Sequence, residues 1–307
     1  MPDNTSGRYG RYGRHGRHGR HRRSGRSWIL ACLGLLLLSC RPPPPAPPHL
    51  PVELLLQEID ASSRRLQDFR GSAGVETSFA GQRGRASLRI RYLSPARFRI
   101  DVHGALFEIL AVVLIHDLRV RLYMPRENKV FEGKLEAREA FIPGLDLTLD
   151  DVHAAVTGTI APGRYRGLPV ADYRREGNTS VVTLGGDGGR RTLWIDMGRM
   201  TVTREVSESP ANQGSVTRSI TRTFERFRNR NGVWRPEKVR ITRDGPRAGT
   251  FELTYRTQSI NRGLRPSDIA VRLPETVVRR PLEEAGTVFE TVDRAPSPGT
   301  SDSRQIP

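Results

Sequence analysis

Three stretches of this chain put an apolar residue at every second position with a polar one, mostly arginine, between. In Ala86–Tyr92, Leu88, Ile90 and Tyr92 fall on one face and Arg89 and Arg91 on the other. Arg97–Val102 repeats the pattern with Phe98, Ile100 and Val102, and so does Arg119–Met124. Successive side chains of a strand point to opposite faces, so period two with one polar face predicts an antiparallel sheet wet on one side. Further strands are expected at 169–176, 179–185, 190–197, 200–207, 216–228, 234–243 and 249–259. Gly185–Gly189 lies between two of them and, with no helix after it, reads as a hairpin turn rather than a phosphate loop.

Helical spacing is confined to two places. Val52, Leu55, Leu56, Ile59, Leu66 and Phe69 recur at three- and four-residue steps, predicting a helix over 52–69 ended by Gly71. Thr148-Leu149-Asp150-Asp151 makes a capping-box start for a short helix over 151–156, stopped by Gly158. The expected fold is therefore mainly β. It is a strongly curved antiparallel sheet forming an open half-barrel, with two or three helices over the concave face. That apolar concave face must be filled, either by the helices or, in part, by a ligand.

The first 39 residues have a different character. Gly/Arg/Tyr/His triplets lead to Arg22, Arg23 and Arg26, then to an apolar run from Trp28 to Leu38, then to Leu37-Leu38-Ser39-Cys40. A membrane-spanning helix needs about 20 apolar residues, and this run is about half that. The order of basic, apolar and small residues is that of an export signal. The tetrapeptide before and including Cys40 resembles the lipobox of bacterial lipoproteins. The resemblance implies a signal peptide over 1–39, diacylglyceryl transfer to the Cys40 thiol, cleavage before it and acylation of the new amine. One acyl chain holds weakly and two or three hold firmly, at about 0.8 kcal/mol per buried CH₂. Arg41 stands where an Asp would imply inner-membrane retention, so the implied location is the periplasmic face of the outer membrane, with outer-membrane lipid as the first partner. Residues 40–50, with six prolines between Pro42 and Pro48, form an extended linker. The folded domain is expected over 51–280. Residues 281–307, rich in Pro, Ser, Asp and Arg, read as a disordered tail.

Charge and cysteine usage exclude more than they assign. The formal charge is +17, of which the first 39 residues carry +7. Lys occurs only at 129, 134 and 238, and arginine is dispersed along strands rather than gathered on a helix, which argues against nucleic-acid binding. Cys32 leaves with the signal and Cys40 is lipidated, so no disulfide is expected. His49, His103, His116 and His153 have no metal-ligand spacing, and no Gly-x-Ser-x-Gly elbow is present. No catalytic residue, metal or cofactor is expected, and the chain reads as a non-enzyme.

Several phrases carry a second resemblance. They are Ser94–Val102, the loop Gly104-Ala105-Leu106-Phe107-Glu108, Val120–Met124, Asn128-Lys129-Val130 with Gly133, Val156-Thr157-Gly158 before Pro162, Trp234–Ile241, Phe251–Tyr255 and Ile260-Asn261. Together they resemble the LolA/LolB-like superfamily, the periplasmic carrier and outer-membrane receptor of lipoprotein localisation. The likeness covers most of residues 50–275 and, with Cys40, points to the lipid-anchored receptor type or a relative of it. It implies an open β-barrel with a helical lid over an apolar cavity for lipoprotein acyl chains, and a periplasmic carrier of the LolA type as a partner. The cavity lining is then expected from Leu88, Ile90, Tyr92, Phe98, Ile100 and Val102. The receptor's membrane-insertion loop corresponds to Gly104–Glu108, with Leu106 or Phe107 at its tip. The apolar run Ile109–Ile115 departs from the receptor; it is either a buried strand or a membrane-contacting element. An alternative reading keeps the fold without transport: a non-catalytic structural or assembly lipoprotein of the envelope whose cavity is filled by its own side chains.

Overall fold

The computed structural model describes residues 50–79, 82–104, 106–135, 140–142, 147–161, 163–186, 189–209, 218–245 and 248–285. Cys40, the expected export signal and most of the expected linker and tail lie outside these residues. The described part opens with helix α1 (Val52–Arg64), then β1 (Asp68–Phe79), β2 (Gln82–Leu93), β3 (Arg97–His103), β4 (Ile109–His116), β5 (Arg119–Met124) and β6 (Lys129–Lys134). Two short strands, β7 (Ala140–Ile142) and β8 (Leu147–Thr148), precede helix α2 (Leu149–Thr157). Next come β9 (Val170–Glu176), β10 (Thr179–Leu184), β11 (Arg190–Asp196), β12 (Thr201–Ser209), β13 (Arg218–Glu225), β14 (Arg228–Arg230), β15 (Val233–Arg235), β16 (Lys238–Arg243) and β17 (Gly249–Ile260). The one-turn α3 (Pro266–Ile269) and strand β18 (Val278–Pro281) close the order.

One large curved sheet of 14 strands, not closed into a barrel, runs β18-β6-β5-β4-β3-β2-β1-β17-β16-β13-β12-β11-β10-β9. All neighbours are antiparallel except β18, which pairs in parallel with β6. The fold is thus mainly β with three helices, as the alternation predicts. Ile109–Ile115 is the strand β4, with Ala111, Val112, Val113 and Ile115 buried. Both outer strands carry charge. On β9, Arg174 pairs with Asp172 and Glu176, and β18 is exposed throughout, with Arg279, Arg280 and Pro281.

Three expectations need correcting. The first helix ends at Arg64, not Phe69, and Gly71 lies inside β1 rather than after a helix. Phe69 is fully buried in that strand, and a Cβ at Gly71 would stand 2.4 Å from the Phe69 ring and 2.7 Å from the Thr257 carbonyl. The glycine is there because a core ring and a neighbouring backbone fill its place. Second, the expected start of the tail at Pro281 falls within β18, and Leu282 and Ala285 beyond it are buried against the core. Third, the polar face of β2 and β3 is not wholly solvent. The segment from Asn261 to Val277 leaves β17 in mid-sheet and crosses the outer face to deliver β18 at the far edge. Along this strap Arg70 pairs with Asp268, and Arg99 donates to the Ala270 carbonyl at 2.8 Å. Arg91 and Arg99 both pair with the buried Asp101, at 2.9 and 2.8 Å, while Arg89 stays exposed.

Candidate functional site

The six expected lining residues come together. Register pairs Leu88 with Val102, Ile90 with Ile100 and Tyr92 with Phe98, and directly opposed residues share a face. Five of them are buried, and Val102 is partly buried against the same cluster. The inner wall continues across the sheet through Ala73, Leu253, Val239 and Ile241.

Helix α2 packs on this wall. Thr148 caps α2 by a reciprocal box: its hydroxyl accepts from the Asp151 N–H at 3.2 Å, and its own N–H donates to Asp151 Oδ2 at 2.9 Å. Gly158 ends the helix in the left-handed conformation, φ 65°. In mid-helix, His153 places its ring edge-on to Phe98 and Tyr92, with centroids 5.8 and 6.2 Å away. Burial holds the imidazole down to about 4, so it is neutral at physiological pH. Burial likewise raises the Tyr92 phenol above its usual value.

Both ends of α2 are gripped by buried arginines that sequence patterning does not reveal. At the C-terminal end, Arg235 is 1% exposed and donates to the Val156 carbonyl at 2.8 Å and to Gln258 Oε1 at 3.1 Å. Its guanidinium stacks 4.5 Å above the Phe69 ring and 5.4 Å from the Tyr255 ring. The Tyr255 hydroxyl donates to the Val156 carbonyl at 2.9 Å and also reaches Ala155 O. Free carbonyls at a helix C-terminus favour a cation there. Burial pushes the Tyr255 phenol up to about 12.

At the N-terminal end, Asp151 and Glu205 are fully buried and Arg222 is 3% exposed. Arg222 donates through Nε to Asp151 Oδ1 at 2.9 Å, its Nη2 is 2.6 Å from the same oxygen, and its Nη1 donates to Glu205 Oε2 at 2.9 Å. Arg191 lies 3.5 Å from Glu205, and Arg243 3.6 Å from Asp151. Arg164 pairs with Asp150. Burial alone would lower the Arg222 pKa, but the two carboxylates outweigh it and hold it above its ordinary value.

A Cβ at Gly158 would meet the Pro236 ring at 2.5 Å on top of a left-handed backbone. Gly158→Ala is therefore expected to lower unfolding stability by about 2 kcal/mol, combining the conformational and overpacking costs. The urea midpoint measures it, and a loss under about 0.5 kcal/mol would contradict the role of this turn.

Beneath α1, a recess between Ile59, Leu66, Met200 and Val202 amounts to about 20 Å³, enough for about one water. A larger recess of about 390 Å³ lies on the opposite face, lined by Arg70, Ser72, Arg89, Arg91, Thr257 and Ser259. The histidines stay apart: His103 contacts the Phe107 carbonyl, His116 meets Arg97 and Asp117 at the surface, and His153 lies under α2.

The loop after β3 places its apolar tip in solvent. Leu106 is 87% and Phe107 77% exposed, against at most 48% for the other exposed large apolar side chains among the described residues. Phe107 holds φ 63°, a conformation unfavourable for a bulky residue. A tight turn fixes it there: the Phe107 N–H donates to the Gly104 carbonyl at 3.2 Å, and the Gly104 N–H to the Glu108 carbonyl at 3.0 Å.

No protein-family model and no curated protein matches the sequence. Solved structures do match the fold. A DUF1329 family protein from Desulfovibrio piger aligns with TM-score 0.55 and 12% identity over 72% of this chain and 98% of its own. The LolA superfamily protein NE2245 from Nitrosomonas europaea gives TM-score 0.52 and 12% identity over 73% and 99%. A domain assigned to outer-membrane lipoprotein sorting from Vibrio parahaemolyticus gives 0.52 and 14% over 71% and 97%. The expected LolA/LolB-like fold is what these likenesses show.

Proposed function

We propose that this chain, with its LolA-superfamily fold, is an outer-membrane lipoprotein that takes acyl chains onto the inner wall of its sheet when α2 lifts away. In this reading Cys40 is the acylated anchor, and the chain receives lipoproteins from a periplasmic carrier of the LolA type or inserts them into the membrane. It works by binding alone, without catalysis. The observation that carries the reading is the continuous apolar wall of β2 and β3, covered by one nine-residue helix. Burying acyl chain there supplies about 25 cal/mol per Å², and a helix leaving its place frees a trough about 13 Å long and 10 Å wide.

Native mass spectrometry of the full-length protein from its own membranes tests this. Co-purifying lipid is expected, and Ile90→Gln or Ile100→Gln should remove most of it. A protein that never carries lipid and accepts no acylated peptide would end the proposal. That outcome favours the second reading, a structural lipoprotein with a self-filled interior, which the packing of the wall and α2 into one buried cluster supports.

The tip residues Leu106 and Phe107 are assigned to bilayer contact. Phe107→Gly removes a strained conformation and should raise stability by about 1 kcal/mol. The same change should weaken binding to phospholipid vesicles severalfold in a flotation assay. A variant that is both less stable and unchanged in vesicle binding would show that the tip serves the fold.

A further inference from the structure

We infer that Arg70, Arg89 and Arg91 form a phosphate site on the outer face of the sheet, and that its ligand is the headgroup of an anionic phospholipid. The inference rests on the reading that the Leu106–Phe107 tip contacts a bilayer. It adds a second, polar contact on the face opposite the apolar wall.

The recess on this face measures about 390 Å³, within the range of small-ligand sites. Three guanidiniums and the hydroxyls of Ser72, Thr257 and Ser259 line it, and no acidic side chain does. Register sets Arg70 directly opposite Arg91, and Arg91 directly opposite Arg99, so three cations stand abreast across β1, β2 and β3. Like charges opposed in this way destabilise a sheet. The nearby carboxylates answer them only in part. Asp268 pairs with Arg70, and the two oxygens of Asp101 are taken by Arg91 and Arg99. Asp68 accepts from the backbone N–H groups of Arg262 and Gly263. Arg89 faces Asp101 in register, yet it has no hydrogen bond or ion pair among the described residues. An anion in the recess would give it one.

A hydroxyl donor stands beside it. Ser72 is opposite Arg89, and Thr257 Oγ1 accepts the Ser72 N–H at 3.0 Å and lies 2.7 Å from Ser72 Oγ. One of these hydroxyls donates to the other, so the second keeps its proton for a ligand. A guanidinium fork matches phosphate oxygens, and Arg89 is the fork left open.

The source of the phosphate follows from the neighbouring loop. Ser87 is opposite His103 and two residues from Arg89, so the Arg89 and His103 backbones are about 8 Å apart. His103 Nδ1 is in turn 3.0 Å from the Phe107 carbonyl. The recess therefore lies close to the loop whose apolar tip is exposed. The interfacial layer of a bilayer is about 5–8 Å deep on each side, so a tip among the acyl chains leaves Arg89 at about headgroup depth.

The test titrates the full-length protein, held in neutral detergent, with dihexanoyl phosphatidylglycerol, dihexanoyl phosphatidylcholine and inorganic phosphate. The phosphatidylglycerol is expected to bind at least about tenfold tighter than either of the others, as charge-assisted hydrogen bonds allow. Arg89→Gln should remove most of that preference. Arg190→Gln, the same loss of charge at an exposed position on the distant β11, should leave it within about twofold. Equal affinity for the two lipids, or a preference that both substitutions change alike, overturns the site. Inorganic phosphate bound as tightly as phosphatidylglycerol overturns the lipid as its ligand. Vesicle flotation of Phe107→Gly judges the tip alone: unchanged flotation overturns the bilayer contact of the loop, while an Arg89-dependent preference in detergent would still support the headgroup site.

Discussion

Replacing Arg222 by methionine is expected to lower the free energy of unfolding by about 3–5 kcal/mol, the usual consequence of removing one partner from a buried ion pair. Methionine keeps much of the aliphatic stem but leaves two fully buried carboxylates, Asp151 and Glu205, from which the guanidiniums of Arg243 and Arg191 stand at 3.6 and 3.5 Å. The loss reflects stranded charge rather than the net worth of the triad. Changing Arg222, Asp151 and Glu205 together to apolar residues of similar size should therefore recover most of it. Equilibrium unfolding in urea with an unchanged slope reads both variants. A single-variant loss below about 1 kcal/mol would mean that water already reaches the triad.

Acid should weaken the same helix through His153. The folded imidazole takes its proton near pH 4 and the unfolded one near 6.5. As pH falls through that window the unfolded chain binds the proton first, so stability is whole above the window and lost as pH drops toward 4. At about 1.4 kcal/mol per pH unit the ceiling is near 3.4 kcal/mol. The residue as a whole is only half-buried, so about 2–3 kcal/mol is expected. Other carboxylates also titrate, so the measurement is the difference between wild type and His153→Phe, which keeps the ring contacts with Tyr92 and Phe98. Parallel stability curves for the two proteins between pH 7 and 4 would remove His153 from the account.

The strands that the sequence announces most clearly, β2, β3 and β5, are those where arginine alternates with large apolar residues. Their inner face is the candidate lining, so that part of the site was readable. Strand β1 was not, because its inward positions include Gly71, Ala73 and Thr77, too small or polar to register as a stripe. Leu66 and Phe69 then extended the helical spacing of α1 by coincidence. The buried ion network was hidden for a different reason. A bulge opposite Trp194 and Ile195 leaves Thr203 unpaired, so the inward positions of β12 pass from Val202 to Glu205 and Ser207. Simple alternation from Val202 would turn Glu205 outward. Arg222 looks like any other arginine on a strand of an arginine-rich chain. Its partners lie 71 and 17 residues away, a distance at which local spacing carries no signal. The capping box did point to Asp151, but only to its role in starting a helix.

The two rims of the sheet set how far the curved sheet can open. Among the described residues no ladder joins β9 to β18, so spreading the rims apart ruptures no backbone pairing. An unzipped sheet would ordinarily recruit a strand from a crowded neighbour. Here Arg279, Arg280 and Pro281 on one rim, and the Asp172–Arg174–Glu176 row on the other, discourage that splice. Width can therefore vary without inviting polymers.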